Sequence, residues 1–232
     1  MSRSVIRESC PRCDGCRLPP RWCICSALVP VAVPLAVDVV FHSREYWRPT
    51  STGRLVNRLV QDSRAHIYRH DAPLTPTAVA REGRALWILH PQGNPPPLRP
   101  RAPEVQLLLL DGSWRESARM MHELKGWGEL VSLPMSGESD YKLRGQDQPG
   151  KQSTAEALIF ALRVFGLGDE ADRIHRQFLL HVYAGLRARG QKLQACEFLE
   201  RTRLRSIYPD LISALNERHS PGEGVRDVVG PT

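Results

Sequence analysis

Residues 107–118 have the sequence LLLLDGSWRESA, and this stretch decides the fold class. Its four leucines form a short, continuous apolar run, which is typical of a strand buried on both faces of a sheet. A helical pattern follows at about 113–125, so the strand leads directly into a helix. Alternation of strands and helices is typical of an α/β fold.

The same alternation continues on both sides of this stretch. Short apolar runs bounded by Pro, Gly or Asp predict four buried strands, at 35–41, 85–89, 105–110 and 130–133. A helical pattern at about 52–63 places Leu55, Leu59 and Val60 on one face. The sequence therefore predicts an α/β fold with a mainly parallel sheet and flanking helices.

The last third of the chain is expected to be helical. The segment Ser153–Glu156 (STAE) has the spacing of a capping box, which satisfies backbone amides at a helix start. Further helices are expected at about 170–189 and 196–218. The proline-rich segment 91–103 is expected to be a loop, and 220–232 a disordered tail.

Five of the six cysteines lie in the segment CPRCDGCRLPPRWCIC near the N-terminus. In a cytosolic chain, C-x2-C pairs predict a metal site, because a tight turn brings both sulfurs to one ion. The ligands are either Cys13, Cys16, Cys23 and Cys25, with Cys10 spare, or a set whose first pair is Cys10 and Cys13. The incomplete match to a ferredoxin run favours zinc over an iron–sulfur cluster.

The charge of the chain indicates its class of partner. The formal net charge is +7, from 32 Lys and Arg against 25 Asp and Glu, which suits a polyanion, above all a nucleic acid. The chain opens without the apolar region of a secretory signal, and no apolar run approaches the ~20 residues that span a bilayer. We therefore expect a cytoplasmic protein that does not bind membranes.

Polar residues at strand ends are the candidates for chemistry, since ligands bind beyond the carboxyl ends of parallel strands. Asp111 follows the four leucines, so burial would make it a better base; alternatively, it caps the helix that begins near Ser113. Trp114 could stack on a base or belong to the core. Lys142 and Arg144 lie in a basic loop that could bind a carboxylate or phosphate, or be solvated.

Taken together, these motifs resemble those of the DTW-domain family over nearly the whole chain. The resemblance rests on four ordered motifs, which are Cys13-x2-Cys16 with Cys23-x-Cys25, His42-Ser43-Arg44-Glu45 with Ser51-Thr52-Gly53-Arg54-Leu55, Asp111-Gly112-Ser113-Trp114, and Tyr141-Lys142-Leu143-Arg144 with Ser153-Thr154-Ala155-Glu156-Ala157. Three places depart from the family pattern. Ser113 replaces Thr, Ser43 replaces Pro, and residues 92–94 lack an acidic residue.

The resemblance implies a tRNA-uridine aminocarboxypropyltransferase with a fold related to the SPOUT methyltransferases, which are knotted. Such an enzyme transfers the 3-amino-3-carboxypropyl group of S-adenosylmethionine to a uridine imide nitrogen and releases methylthioadenosine. It implies tRNA, not DNA, as the partner. The expected regions are a zinc module at 1–30, a catalytic domain at 31–219 and the tail at 220–232.

The implied site residues follow from the matching motifs. Asp111, Ser113 and Trp114 would be catalytic, with Asp111 as the base and Trp114 stacked on the flipped uracil. The cofactor would be held by a second set of residues, Arg144, Lys142, Ser153 and Thr154. Two other functions fit the sequence, namely a SPOUT-type RNA methyltransferase and a non-enzymatic zinc-ribbon RNA-binding adaptor.

Overall fold

A computed structural model describes residues 11–96, 101–135, 137–143 and 152–217. Within this part of the chain, five parallel strands form one sheet in the order β2-β1-β4-β3-β5. The strands are β1 (Ala36–His42), β2 (Arg64–Tyr68), β3 (Ala85–Asn94), β4 (Val105–Asp111) and β5 (Glu129–Val131). The predicted α/β class with a parallel sheet is confirmed.

The strands differ from the predicted ones in two places. Strand β2 was not predicted, because it is an edge strand whose side chains are mostly exposed or half-buried and so form no apolar run. Strand β3 continues through residues 91–94, which the sequence predicts as a loop. Gly93 allows this extension, since a Cβ there would lie only 2.5 Å from the Val131 carbonyl carbon of β5.

Helices cover both faces of the sheet and form the C-terminal region. The helices of the described chain are α1 (Thr52–Leu59), α2 (Pro76–Val79), α3 (Trp114–Glu123), α4 (Thr154–Val164), α5 (Gly168–Ala188), α6 (Lys192–Arg201), α7 (Leu204–Ile207) and α8 (Pro209–Asn216). The capping box predicted at Ser153 is present at the start of α4.

The single helix predicted over 196–218 is wrong, because three helices occupy this region. The backbone of Thr202 is extended, with φ −117° and ψ 159°, which ends α6. Pro209 begins α8, and a residue that precedes proline is disfavoured in the helical conformation, so Tyr208 separates α7 from α8. The tail expected at 220–232 lies outside the described residues.

The leucine run of β4 joins two apolar layers. Leu107 and Leu109 pack with residues of α1, α4 and α5, whereas Leu108 packs on the other face of the sheet with Met120 of α3. This alternation follows from the period of two in a strand. The cysteine-rich segment joins the first layer, since Leu18 and Ile24 are buried in the same core.

The opposite end of the sheet from Asp111 is held by a buried charge. The Asp38 carboxylate of β1 accepts hydrogen bonds from Arg81 (2.5 and 3.0 Å), from the Gln106 side chain (2.7 Å) and from the Arg64 amide (2.9 Å). Burial opposes ionisation, but the interactions with His66, Arg81 and the Arg64 amide outweigh it and lower the pKa of Asp38 to about 2. The carboxylate thus ties β2 and β4 to β1, the strand that lies between them.

We expect Asp38→Asn to destabilise the protein by about 3 kcal/mol at neutral pH, because it leaves the Arg81 guanidinium without its counter-charge. The folded pKa of Asp38 lies below the unfolded value of about 3.9, so this stabilisation is present above that value and is lost as pH falls toward 2. The free energies of unfolding of the two proteins, measured in urea, should therefore approach each other as the pH falls from about 5 to about 2.5. A constant difference across this range would contradict the role of the charge.

Candidate active site and metal centre

A cleft opens at the carboxyl ends of β4 and β5. It encloses about 880 Å³ when the open space at its mouth is included. Apolar walls come from Leu109, Leu133 and Met135, and polar groups come from the loop before α1, from Asp111 and from the start of α4. The cleft therefore lies where the sequence predicts ligand binding in a parallel sheet.

Asp111 is the residue on which the polar groups of the cleft converge. Its Oδ2 accepts a hydrogen bond from the Ser51 hydroxyl (2.6 Å), and its Oδ1 accepts from the Thr154 hydroxyl (2.6 Å) and the Gly53 amide (3.3 Å). The side chain is buried, with 4% of its surface exposed. Three of the sequence motifs thus meet at one carboxylate.

The backbone brings these motifs together for two reasons. The parallel register pairs Phe41 with Asp111, so the loop after β1 and the end of β4 are adjacent. At the start of α1, Gly53 lies so close to Asp111 that a Cβ would be 2.7 Å from the carboxylate carbon. Only glycine lets this helix turn contact the carboxylate through its amide.

The electrostatics of Asp111 suit proton transfer. Burial raises the pKa of Asp111, and the hydrogen bonds from Ser51, Thr154 and Gly53 oppose this rise. Capping of α3 does not require Asp111, because Ser113 and Glu116 form a capping box at that helix start. The carboxylate of Asp111 points instead to Ser51 and Thr154.

The other predicted catalytic residues lie on either side of the first turn of α3. Trp114 lines the cleft, and 37% of its surface is exposed, so it is not a core residue. Ser113 does not line the cleft; its hydroxyl accepts a hydrogen bond from the Glu116 amide. The structure therefore brings Asp111 and Trp114 to one cleft, with Ser113 on its outer side.

The predicted cofactor-binding residues are placed differently from one another. Ser153 and Thr154 line the cleft. Both the hydroxyl and the amide of Ser153 belong to the capping box of α4. Lys142 does not line the cleft, and its ammonium group pairs with Glu138 at 2.6 Å. Arg144 lies outside the described residues.

Several residues in or beside the cleft were not predicted. Ser51 and Gly53 lie in a quoted motif, but the sequence does not show that they contact Asp111. Tyr141 lines the cleft and donates a hydrogen bond from its hydroxyl to the Thr50 carbonyl (2.5 Å). His90 also lines the cleft, and its burial lowers its pKa. Its position directly after the apolar run at 85–89 was the available signal.

The cysteine cluster has the dimensions of a tetrahedral metal site. The Sγ atoms of Cys13, Cys16, Cys23 and Cys25 all lie within 4.8 Å of one another. The measured separations are 3.5 Å for Cys13–Cys25, 3.6 Å for Cys13–Cys23 and 3.8 Å for Cys16–Cys23. Four thiolates around a zinc ion with bonds of about 2.3 Å would be about 3.8 Å apart, so the cluster fits such an ion. Cys10 lies outside the described residues.

Positive charge lies close to these thiols. The Arg58 guanidinium of α1 is 3.3 Å from the Cys25 Sγ, and Arg54 donates hydrogen bonds to the Asp14 and Gly15 carbonyls (3.3 and 3.4 Å). Backbone hydrogen bonding, chiefly from Cys16, lowers the pKa of Cys13 to about 6. Burial has the opposite effect on two other thiols of the cluster, because it raises the pKa of Cys16 to about 12 and also raises the pKa of Cys23. A bound cation would favour the thiolate form of all four cysteines.

The protein has a parallel sheet flanked by helices, with a candidate active site in the cleft at the carboxyl ends of the strands. Its cluster of four cysteines is a candidate metal centre. The family model of the DTW domain matches residues 10–186. The chain belongs to this family, as the motifs predict. No solved structure matches the chain. No helix in the described residues has both the length and the apolar character needed to cross a membrane.

We expect the purified protein to contain about one metal ion per chain and to lose thermal stability when a chelator removes it. Cys16→Ser should abolish metal binding and lower Tm, because it removes one of four ligands. Cys196→Ser is the matched control, since this exposed thiol is remote from the cluster, and it should keep both metal and Tm. Full metal content in Cys16→Ser would contradict the ligand set.

Proposed function

We propose that this protein is a tRNA-uridine aminocarboxypropyltransferase that uses S-adenosylmethionine and releases methylthioadenosine. The observation that carries the proposal is the buried carboxylate of Asp111, which lines the cleft and accepts hydrogen bonds from two other family motifs. Membership of the DTW domain family supports it. The expected partner is tRNA in the cytoplasm.

The chemistry requires a base and a fixed geometry of the reacting atoms. S-adenosylmethionine supplies a methylene carbon that the adjacent sulfonium makes electrophilic. The uracil imide gives its proton to the Asp111 carboxylate, and the nitrogen lone pair forms the new N–C bond. The C–S bond breaks in line, and its electron pair stays on sulfur, so methylthioadenosine leaves as a neutral thioether. Positioning supplies much of the rate in such a displacement.

The choice of the methylene carbon over the methyl carbon requires that the amino acid arm be held in one pose. Arg144 and Lys142 would bind its carboxylate, and Lys142 would exchange its partner Glu138 for this group. Ser153 and Thr154 place the start of α4 at the cleft, where backbone amides favour an anion. Thr154 also donates its hydroxyl to Asp111, so it would link the cofactor and the base.

Trp114 is suited to hold the target base. Its side chain lines the cleft and is partly exposed, and it follows Asp111 by three residues in the chain. RNA recognition commonly uses aromatic rings to stack unpaired bases. Stacking on Trp114 would place a flipped uracil beside the carboxylate. Ser113, as the cap of α3, would fix the position of Trp114.

We assign the metal site to zinc. Four cysteine ligands leave no open position on a tetrahedral ion, which is typical of a structural rather than a catalytic site. The segment 1–30 would then be a zinc module attached to the catalytic domain at 31–219. The ion would order the chain around Cys13–Cys25, and no step of the transfer would use it.

The test of the function is the origin of the group that enters the RNA. We expect label from [carboxyl-14C]-S-adenosylmethionine to enter an unmodified tRNA transcript, and label from the methyl group to remain in methylthioadenosine. Methyl label in the RNA without carboxyl label would identify a methyltransferase and contradict the proposal. A protein that binds tRNA but transfers neither label would be an RNA-binding adaptor.

Asp111→Asn should lower the transfer rate about 10²- to 10⁴-fold, the usual effect of losing a general base. Its affinity for tRNA should change little, since Asp111 is buried. Equal losses of binding and activity would instead indicate a structural role.

Two variants of Thr154 test whether its hydrogen bond controls the pKa of Asp111. Thr154→Val removes a hydrogen bond that lowers the pKa of Asp111, so the acidic limb of the pH–rate profile should move to higher pH. Thr154→Ser keeps the hydroxyl and should retain the profile of the original protein. Identical profiles for both variants would contradict Asp111 as the base.

A further inference from the structure

A second concave surface, here called the basin, borders the cleft on the other side of α3. It is lined by the loop after β1, by the end of β2 and by the first turns of α3, and it encloses about 2130 Å³, including open space. Four arginines contribute to it, namely Arg44, Arg69, Arg115 and Arg119. Its size and openness suit a segment of a macromolecule better than a small ligand.

Two of these arginines are available to bind anions. Arg69 pairs with Asp71 at 2.9 Å, and Arg119 lies 3.6 Å from Glu123. Arg44 and Arg115 are exposed, and neither forms an ion pair with any residue that the structure describes. Exposed guanidinium groups without a counter-ion are suited to phosphate contacts.

Glu116, one of the two acidic residues that line the basin with Asp71, has hydrogen-bonding partners within the protein. Glu116 lies 3.2 Å from the His42 Nδ1, and its other oxygen accepts a hydrogen bond from the Ser113 amide (2.8 Å). These contacts lower the pKa of Glu116 despite the opposing effect of its burial. The carboxylate therefore stays ionised, but the four arginines of the basin outnumber its two carboxylates.

The basin also has an exposed aromatic ring. Trp47 has 64% of its surface exposed, although it is a large apolar side chain. Its ring packs edge-on against Tyr46, with centroids 5.0 Å apart, and the Arg17 guanidinium lies 5.2 Å from its centre. These contacts hold the ring in place at the surface. A fixed, exposed indole beside arginines is typical of a surface on which nucleic acid bases stack.

The first turns of α3 separate the basin from the cleft. Trp114 and Ser117 line the cleft, whereas Ser113, Arg115 and Arg119 line the basin. A strand that follows the basin therefore passes the N-terminus of α3, and one nucleotide from it can enter the cleft beside Trp114. A polynucleotide bound in the basin would therefore lie next to the cleft.

The described arginines of the cysteine-rich segment are used within the protein instead. Arg12 donates a hydrogen bond to the Arg17 carbonyl (3.2 Å), and Arg17 pairs with Asp14 at 3.5 Å. Arg21 donates to the Glu217 carbonyl and lies over Trp22, 4.9 Å from the ring centre. These three guanidinium groups are less available to phosphates than Arg44 and Arg115.

We propose that the basin is the surface that binds the single-stranded RNA flanking the target uridine. Arg44 and Arg115 contact its phosphates, and Trp47 stacks on one of its bases. This inference rests on the proposed function, since it takes RNA as the substrate. Single-stranded loops fit the basin because their unstacked bases are open to an aromatic ring.

The test is the affinity of the full-length protein for an unmodified tRNA transcript across a range of salt concentrations. The double variant Arg44→Gln and Arg115→Gln should bind about 10-fold more weakly near 0.15 M salt. The slope of its log binding constant against log salt concentration should be shallower by the equivalent of about two phosphate contacts. Trp47→Ala should weaken binding without changing the salt slope. The affinity for S-adenosylmethionine, measured by calorimetry, should remain unchanged in both.

The control is the double variant Arg203→Gln and Arg205→Gln, which removes two exposed arginines at α7, outside the basin. It should bind tRNA within about twofold of the original protein. Unchanged tRNA binding in the basin variants would overturn the inference, even if carboxyl label still enters the RNA. The inference would also be overturned if the basin variants lost equal affinity for tRNA and for a DNA duplex that the original protein binds as tightly as tRNA. Weaker tRNA binding in a protein that transfers no label would support the basin and contradict the proposed function.

Discussion

The hydrogen bonds to Asp111 are the contacts on which the site depends. The carboxylate ends β4, and its partners are the Ser51 hydroxyl and the Gly53 amide at the start of α1 and the Thr154 hydroxyl at the start of α4. A buried carboxylate is costly unless donors surround it, and here the donors come from two segments that are distant from Asp111 in the chain. Folding must therefore bring together the end of β4 and the starts of α1 and α4, and the cleft forms where they meet.

Helix α1 connects this site to the cysteine cluster. Its first turn contacts Asp111 through Gly53, while Arg58 in its last turn lies beside Cys25, and Arg54 donates to the Asp14 and Gly15 carbonyls. The helix has eight residues, so its two ends are about 12 Å apart. The cysteine cluster and the carboxylate thus share one supporting helix, although the cluster lies outside the cleft.

The sequence predicts the parts of the fold and site that local pattern determines. The leucine run gives β4, the STAE box gives the start of α4, and the cysteine spacing gives the cluster. Strand β2 and the extension of β3 depend on neighbouring strands rather than on their own composition, so no local pattern predicts them. The same is true of the partners of Asp111, since Ser51 and Thr154 are 60 and 43 residues away from it along the chain.

The arginines explain why net charge alone predicts so little. Arg81 offsets the buried charge of Asp38, and Arg58 lies beside the thiols of the cysteine cluster. Both are committed to the folded chain, so they add to the net charge of +7 without being available to a partner. Arg44 and Arg115 differ because they are exposed and neither forms an ion pair with any described residue. A partner interacts most strongly with unpaired charge, and the location of that charge depends on which side chains the fold brings together; in this protein two of the unpaired arginines lie beside the cleft.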